Sequence, residues 1–334
     1  MNNPNLRAVV TGTGGYLPER VLTNDDLSKM VDTSDAWIYP RTGIRSRRIA
    51  GADENVSDMA AAASRQAMER AGVRPEEIDL LVLATITPDT PLPAASCLVQ
   101  DKLGLVNATC FDIVAACSGF IYALDVARQY VLSGAARRVL VVGSEKMSAI
   151  TDWTDRTTCI LFGDGAGAVV VERSEGGTQN GILSTATGTD GSLAPLLRIE
   201  AGGSALPTSA ETLAARRGFL KMDGHTIFKY AVRNMAGVAA KAVADAGLRP
   251  ADIDWFVPHQ ANMRIIQAVA KTMDLGMEKV VTNIERTGNT TAASIPLALH
   301  EAVADGRIKE GDNVLFASFG AGLTWGASVV RWGR

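Results

Sequence analysis

One eight-residue segment of this chain recurs with five of its residues unchanged. Gly72-Val73-Arg74-Pro75-Glu76-Glu77-Ile78-Asp79 returns as Gly247-Leu248-Arg249-Pro250-Ala251-Asp252-Ile253-Asp254, 175 positions later (247 − 72). Each copy runs into an apolar segment, LLVLATIT after Asp79 and WFVPHQAN after Asp254. The same offset superposes Ala123-Leu124 on Ala298-Leu299 and Val139-Leu140 on Val314-Leu315. Agreement at three separated places marks a duplicated domain. Solenoid repeats are far shorter, about 20–50 residues. At 334 residues the chain is also too long for one small domain. Two similar halves are expected, 1–175 and 176–334.

Helical and strand-like patterns alternate within each half. Ser57 is the expected N-cap of a helix reaching Gly72, and IDLLVLATI then reads as a buried strand. Phe120, Leu124, Ala127 and Val131 share one helical face that closes near Gly134, and RRVLVVGSE follows as a strand. Phe228, Ala231, Met235, Val238 and Ala242 repeat that spacing in the second half. Continuous apolar strands separated by helices imply an α/β fold with sheets covered on both faces. The small, polar stretch at about 190–220 reads as a loop excursion beside the junction.

Composition narrows the function. With 47% hydrophobic and 21% charged residues, the chain can bury a full core without disulfides or metals. A net charge of −3 does not mark a nucleic-acid or anionic-membrane binder. Cys97, Cys110, Cys117 and Cys159 show no CxxC spacing. The stretch MNNPNLRAVV lacks a basic region followed by a long apolar one, and no apolar run reaches transmembrane length. These features lead to the expectation of a reducing, cytoplasmic setting. Three histidines, His225, His259 and His300, give a His-based metal site little material, and no metal is expected.

Three short motifs carry chemistry. In Ala115-Ala116-Cys117-Ser118-Gly119-Phe120 a strand gives way to a helix, so Cys117 is expected at a helix N-terminus, where unpaired N–H groups favour thiolate. The competing reading is an inert buried cysteine. In Val257-Pro258-His259-Gln260-Ala261-Asn262 a strand ends at Pro258 and presents His259, suited to donate a hydrogen bond or proton near neutral pH. A structural histidine is the alternative. In Thr287-Gly288-Asn289-Thr290-Thr291-Ala292, Gly-Asn is ordinary turn chemistry. The repeat makes it significant, because Cys117 plus 175 is Ala292. All three motifs fall at strand ends near helix starts, where a pseudo-twofold arrangement lets them converge.

Other glycine-rich stretches fail their tests. Gly12-Thr13-Gly14-Gly15 lacks the third glycine of a dinucleotide fingerprint, with Leu17 in its place and Pro18 next. Gly163-Asp164-Gly165-Ala166-Gly167 leads into a strand and lacks Gly-Lys-Ser/Thr, so it is no phosphate loop. A degradative thiolase needs a second reactive cysteine late in the chain, and the last here is Cys159.

DTSDAWIYPRTGIRSRRI, AACSGF, FGDGAGAVVV, VPHQAN, GNTTAASIP and SFGAGLTWG follow one another over essentially the whole chain. Together they resemble the β-ketoacyl-acyl-carrier-protein synthase III family, the initiating condensing enzymes of fatty acid synthesis. The resemblance implies a thiolase-like fold, a five-layered α-β-α-β-α subunit and a homodimer. It implies that Cys117 takes an acyl group from acyl-CoA, a substrate rather than a cofactor, and that no cofactor is used. It also implies that His259 and Asn289 stabilise the enolate formed when malonyl-acyl-carrier-protein loses carbon dioxide. Backbone N–H groups of Cys117 and Ala321 would form the oxyanion hole, with Phe319 beside the sulfur. By the same resemblance, Trp37 and Arg156 sandwich the CoA adenine, with Thr33 and Arg41 in the same segment. Gly224 lies near the pantetheine tunnel, and Asn262 is among the supporting contacts. Lys229, Arg264 and Lys271 match a basic surface for the acidic carrier protein. Leu92 matches a residue that closes the acyl pocket from the partner subunit; leucine restricts chain length less than phenylalanine would. Two further readings stand beside this one: a specialised condensing enzyme of secondary metabolism or signal synthesis, and a non-enzymatic acyl-CoA or carrier-protein binding module.

Overall fold

The computed structural model describes residues 6–174 and 177–333; the expected junction at 175/176 lies outside the described residues. One sheet is drawn from the strands β1 (Arg7–Tyr16), β2 (Leu80–Ala84), β3 (Thr109–Ile113), β4 (Arg138–Glu145) and β5 (Gly165–Ser174). Its order is β1-β5-β4-β2-β3, with β4, β2 and β3 mutually parallel. The second sheet holds β6 (Gly181–Thr189), β7 (Trp255–Pro258), β8 (Asn313–Gly320) and β9 (Thr324–Arg331), ordered β7-β8-β9-β6. The second half has no strand matching β3; the short helix Ile284–Thr287 occupies those positions, and Phe256 makes an isolated bridge to Val280.

Helices cover every sheet face. Outside the first sheet lie α1 (Val56–Ala71) and α2 (Ala95–Leu103), sharing a core with Leu81, Leu83 and Val142. Between the sheets lie α3 (Gly119–Leu132) and α6 (Ser294–Ala304); Phe120, Leu124, Ile295 and Leu299 pack there with Val82, Val141 and Phe316. Outside the second sheet lie α4 (Gly224–Asp245) and α5 (Met263–Thr272), against Phe256, Leu315 and Val329. The result is the five-layered α-β-α-β-α arrangement expected of the thiolase-like fold. Strands covered on both faces need apolar residues at every position, as in the wholly buried β2.

The repeat is kept almost residue for residue. The 3-10 turns Ala116–Ser118 and Thr291–Ala293, the starts of α3 and α6 at Gly119 and Ser294, and the strands β4 and β8 all lie 175 positions apart. Ala116 and Thr291, also so related, are both left-handed, with φ of 46° and 50°. Each non-glycine residue accepts this strain at a sharp turn into a helix. The Asn289 motif, expected at a strand end, follows the short helix Ile284–Thr287 instead.

Three local expectations change. The cap of α1 is Asn55, whose N–H donates to Asp58; Ser57 lies inside the helix and its hydroxyl donates to Asp89 at 2.6 Å. The 190–220 stretch is ordered, with strands Leu197–Ile199 and Leu220–Met222 paired antiparallel and a short helix Ala210–Ala214 between them. Gly12 and Gly14 carry no phosphate grip: a Cβ at either would collide with the Ala67 or Ala63 carbonyl, so they let β1 approach α1.

Candidate active site

The two elbows meet back to back between the sheets. Each rests on the end of a strand from the other half. A Cβ on Gly143 of β4 would collide with the Ala292 carbonyl, and one on Gly320 of β8 would come 2.7 Å from the Cys117 nitrogen. Ser318 donates to the Cys117 carbonyl at 2.9 Å, fixing the first elbow from the second half. These contacts explain how residues 172 positions apart, Cys117 and Asn289, come to face one space.

That space is a largely apolar cavity of about 610 Å³. Cys117, His259 and Asn289 all line it, together with Phe319 and Ala321. All three polar side chains are buried, with exposures of 8%, 1% and 7%. The surrounding wall includes Ile86, Phe162, Leu197, Leu220, Met222 and Met235. Two strands of the 190–222 excursion thus supply part of the cavity wall, which composition alone did not reveal.

Cys117 lies in the turn Ala116–Ser118, just before α3. Burial pushes its thiol up to about 12, and the Glu145 carboxylate adds to the rise; its own N–H and the Thr291 hydroxyl oppose it. This corrects the expectation of a thiolate favoured by the helix start. In a dry cavity the desolvation cost of the charged form exceeds the partial charge of the turn.

His259 follows β7, its N–H donating to the Ala317 carbonyl of β8. Its Nδ1 lies 2.6 Å from the Ser294 hydroxyl oxygen. Burial pushes the imidazole down to about 3, so the ring is neutral across the physiological range. Asn289 accepts the Thr291 N–H through Oδ1 at 2.9 Å, which leaves its amide NH₂ as the free donor end. The preceding Gly288 has φ of 64° and ψ of −162°, a conformation open essentially to glycine alone. A buried thiol, a neutral imidazole and an amide beside an apolar cavity can hold an acyl group and donate hydrogen bonds to a developing oxyanion.

The segment carrying Trp37 borders the same cavity. Trp37, Arg41, Gly224 and Asn262 line it. Asn262 caps α5 and donates to the Arg41 carbonyl at 3.1 Å. Thr33 and Arg156 are not among the lining residues. The Arg156 guanidinium sits 5.4 Å from the Trp37 ring centre and donates to Asp32. A flat ring held between two faces needs about 7–8 Å, so the sandwich expected of this pair is closed here by Arg156 itself. Lys229 and Arg264 are exposed beside the cavity-lining Phe228 and Ile265. Lys271 is exposed two turns further along α5, in a separate depression with Asp274. Leu92 is 85% exposed and does not reach the cavity of its own subunit.

Reading the sequence passed over Ser294, Thr291 and Glu145. A signal existed for each: Ser294 starts the second-half copy of α3, Thr291 repeats Ala116, and Glu145 is the one acid ending the apolar run RRVLVVGSE.

Comparison with known proteins agrees with this geometry. Residues 111–191 match the family 3-Oxoacyl-[acyl-carrier-protein (ACP)] synthase III, and residues 243–332 match 3-Oxoacyl-[acyl-carrier-protein (ACP)] synthase III C terminal. The beta-ketoacyl-[acyl-carrier-protein] synthase III of Rhodospirillum centenum is 53% identical over 329 residues, covering 98% of this chain and 99% of that one. The crystal structure of 3-oxoacyl-[acyl-carrier-protein] synthase III from Aquifex aeolicus is similar with a TM-score of 0.90 and 48% identity, covering 97% of this chain and all of that one. The priming beta-ketosynthase of the R1128 polyketide pathway has a TM-score of 0.91 and 39% identity, covering all of this chain and 99% of that one. The chain therefore belongs to the beta-ketoacyl-[acyl-carrier-protein] synthase III family of condensing enzymes.

Proposed function

We propose that this enzyme joins an acyl-CoA primer to malonyl-acyl-carrier-protein by decarboxylative Claisen condensation, the first step of fatty acid synthesis, with Cys117, His259 and Asn289 as its catalytic residues. The convergence of these three side chains on one largely apolar cavity carries the reading. The Cys117 sulfur attacks the acyl-CoA carbonyl, the C–S bond to CoA breaks, and CoA leaves as its thiol with the cysteine proton. The Cα–carboxylate bond of the malonyl group then breaks and carbon dioxide departs. The enolate carbon attacks the acyl-cysteine, the thiolate leaves, and a 3-oxoacyl-carrier-protein is released. His259 and Asn289 donate to the malonyl thioester oxygen. The N–H groups of Cys117 and Ala321 receive the acyl oxyanion. Charge moves between oxygens and sulfurs throughout, so the reaction needs oxyanion donors and no cofactor.

The finer assignments belong to the same reading. Trp37, with Arg41 and Arg156, receives CoA once the Arg156 guanidinium moves off the ring, and Thr33 borders that segment. Gly224 flanks the pantetheine, and Asn262 holds Arg41 in place. Lys229 and Arg264 meet the carrier protein, with Lys271 at the margin. The enzyme works as a homodimer paired along the open edge of β3, where Leu92, Val106 and Val114 are 85%, 74% and 78% exposed. Leu92 then reaches the acyl pocket of the partner. Among the described residues no helix is long and apolar enough to cross a membrane. A cytoplasmic setting is inferred from the acyl-CoA and carrier-protein substrates of this reading.

Incubation with acetyl-CoA and longer acyl-CoA thioesters, followed by mass spectrometry, should give an acyl adduct on Cys117. No adduct with any primer overturns the assignment. The likeness to a priming ketosynthase supports a second reading, a specialised pathway. Turnover with malonyl-CoA in place of malonyl-carrier-protein would favour it.

A further inference from the structure

The duplication places two elbows in one protein and allows their surroundings to be compared. Cys117 in the first corresponds to Ala292 in the second, and Gly320 at the end of β8 corresponds to Glu145 at the end of β4. Gly320 has no side chain, so nothing from that position covers the Cys117 N–H, although a Cβ there would lie 2.7 Å from it. At the other elbow the matching position carries a carboxylate. Glu145 is fully buried and accepts from the Ala292 N–H. It also accepts from the Ile86 N–H at 3.1 Å, the Thr87 hydroxyl at 2.6 Å and the Thr85 hydroxyl at 3.2 Å. An acid thus accepts from Ala292, the second-half copy of the Cys117 N–H, while Lys146 N–H, the copy of Ala321 N–H, donates to the Thr87 hydroxyl, which itself donates to Glu145.

We propose that Glu145 is a positioning residue for the condensation: its carboxylate takes up the Ala292 N–H of the duplicate elbow, fixes the turn that carries Asn289, and sets a negative charge on the Cys117 side of the site. The proposal rests on the catalytic reading of Cys117 and Asn289. Ala292 is three residues from Asn289, and Ile86 lines the cavity, so one carboxylate ties both walls of the site to β4.

The electrostatics agree with this geometry. Burial raises the Glu145 carboxyl to about 7, against the pull of its donors, and Glu145 in turn raises the Cys117 thiol. The titratable groups of the buried cluster are Cys117, Glu145 and the neutral His259. Lys146, next along the chain, turns its ammonium away to the Gly51 and Glu54 carbonyls, and Asp164 is held by Ser148 and Ala50. A charged Glu145 disfavours the Cys117 thiolate, so the two acids do not both ionise readily.

The test is Glu145→Gln, with Glu145→Asp as the variant that keeps the charge. In E145Q the pH midpoint of iodoacetamide alkylation at Cys117 should fall by about 1 unit or more. Carbon dioxide release from malonyl-carrier-protein should fall roughly tenfold, while Cys117 acylation at fixed pH is kept or quickened. E145D should restore the midpoint. An unmoved midpoint in folded E145Q overturns the proposal, as does an equal loss of both half-reactions. Should E145Q not fold, an E145D enzyme with a wild-type decarboxylation rate and a shifted midpoint overturns it too. Failure of the underlying site reading looks different: wild-type enzyme would then give no acyl adduct at Cys117.

Discussion

The Nδ1 atom of His259 lies 2.6 Å from the hydroxyl oxygen of Ser294, and both residues are buried. A neutral imidazole carries one N–H, so this contact decides which way the ring can donate. If the hydroxyl gives its proton to Nδ1, Nε2 keeps a hydrogen for a thioester oxygen. If the hydroxyl turns to the Thr291 carbonyl, 3.0 Å away, Nε2 becomes an acceptor and the donor is lost. Ser294→Ala should therefore slow carbon dioxide release from malonyl-carrier-protein by about 10- to 100-fold. Acyl transfer to Cys117 should change little. Measuring the two half-reactions separately checks this, and an equal loss in both would count against the tautomer argument.

His259→Ala and Asn289→Ala should divide the reaction in the same sense. Both should still form the acyl-cysteine, detected by mass spectrometry, and each should lose about 10²- to 10³-fold in decarboxylation, as expected for removal of one oxyanion donor. Loss of acylation with decarboxylation intact would reverse the roles given to these residues.

The neutral state of His259 has a stability consequence. Its folded pKa is depressed from 6.5 to about 3 by burial, so the unfolded chain takes up this proton first as pH falls. Stability from this residue is complete above pH 6.5 and is lost between 6.5 and about 3. Urea unfolding at pH 7 and pH 4.5 should show a smaller acid-induced drop in His259→Gln than in the wild type. An equal drop in both proteins would contradict it.

Gly143 and Gly247 should respond unequally to alanine. A Cβ at 143 meets the Ala292 carbonyl, backbone that cannot swing aside, and Gly143→Ala should cost about 1–3 kcal/mol or more and disturb condensation. Gly247 has open space around it and only a φ of 73° to protect, so Gly247→Ala should cost about 1 kcal/mol and leave activity intact. Thermal midpoints together with turnover check both.

Asp152 latches the 190–222 excursion. It accepts from Arg216 Nε at 2.9 Å and lies 3.4 Å from Lys221, and these contacts hold its carboxyl well below the ordinary range. Leu197, Leu220 and Met222 of that excursion line the cavity. Asp152→Asn should raise KM for acyl-CoA several-fold with a smaller change in kcat. An unchanged KM would separate the latch from substrate binding.

Much of the fold could be read along the chain, because duplication and buried parallel strands write themselves into local pattern. The offset of 175 links Gly72–Asp79 to Gly247–Asp254 in sequence and β4 to β8 in space. Boundaries were less legible: Asn55 rather than Ser57 caps α1, since the choice depends on Asp58 and Asp89 as well as on the cap residue. The 190–222 stretch looked like loop because small and polar residues break up its apolar ones, yet Leu197, Leu220 and Met222 line the cavity.

Cys117 and His259 were visible as residue types at strand ends and Asn289 as a turn residue, and family resemblance joined them. Their protonation was not. The same cysteine that a helix start would ionise has its thiol raised by burial and by Glu145, a partner 28 positions away. Ser294 and Glu145 are unremarkable letters until the two elbows are placed back to back. The sequence alone determined the architecture, the duplication and the chemical groups available. Tertiary structure decided which groups share one dry space, which proton each holds and which elbow is left open to a substrate, because desolvation and hydrogen bonding act through space rather than along the chain.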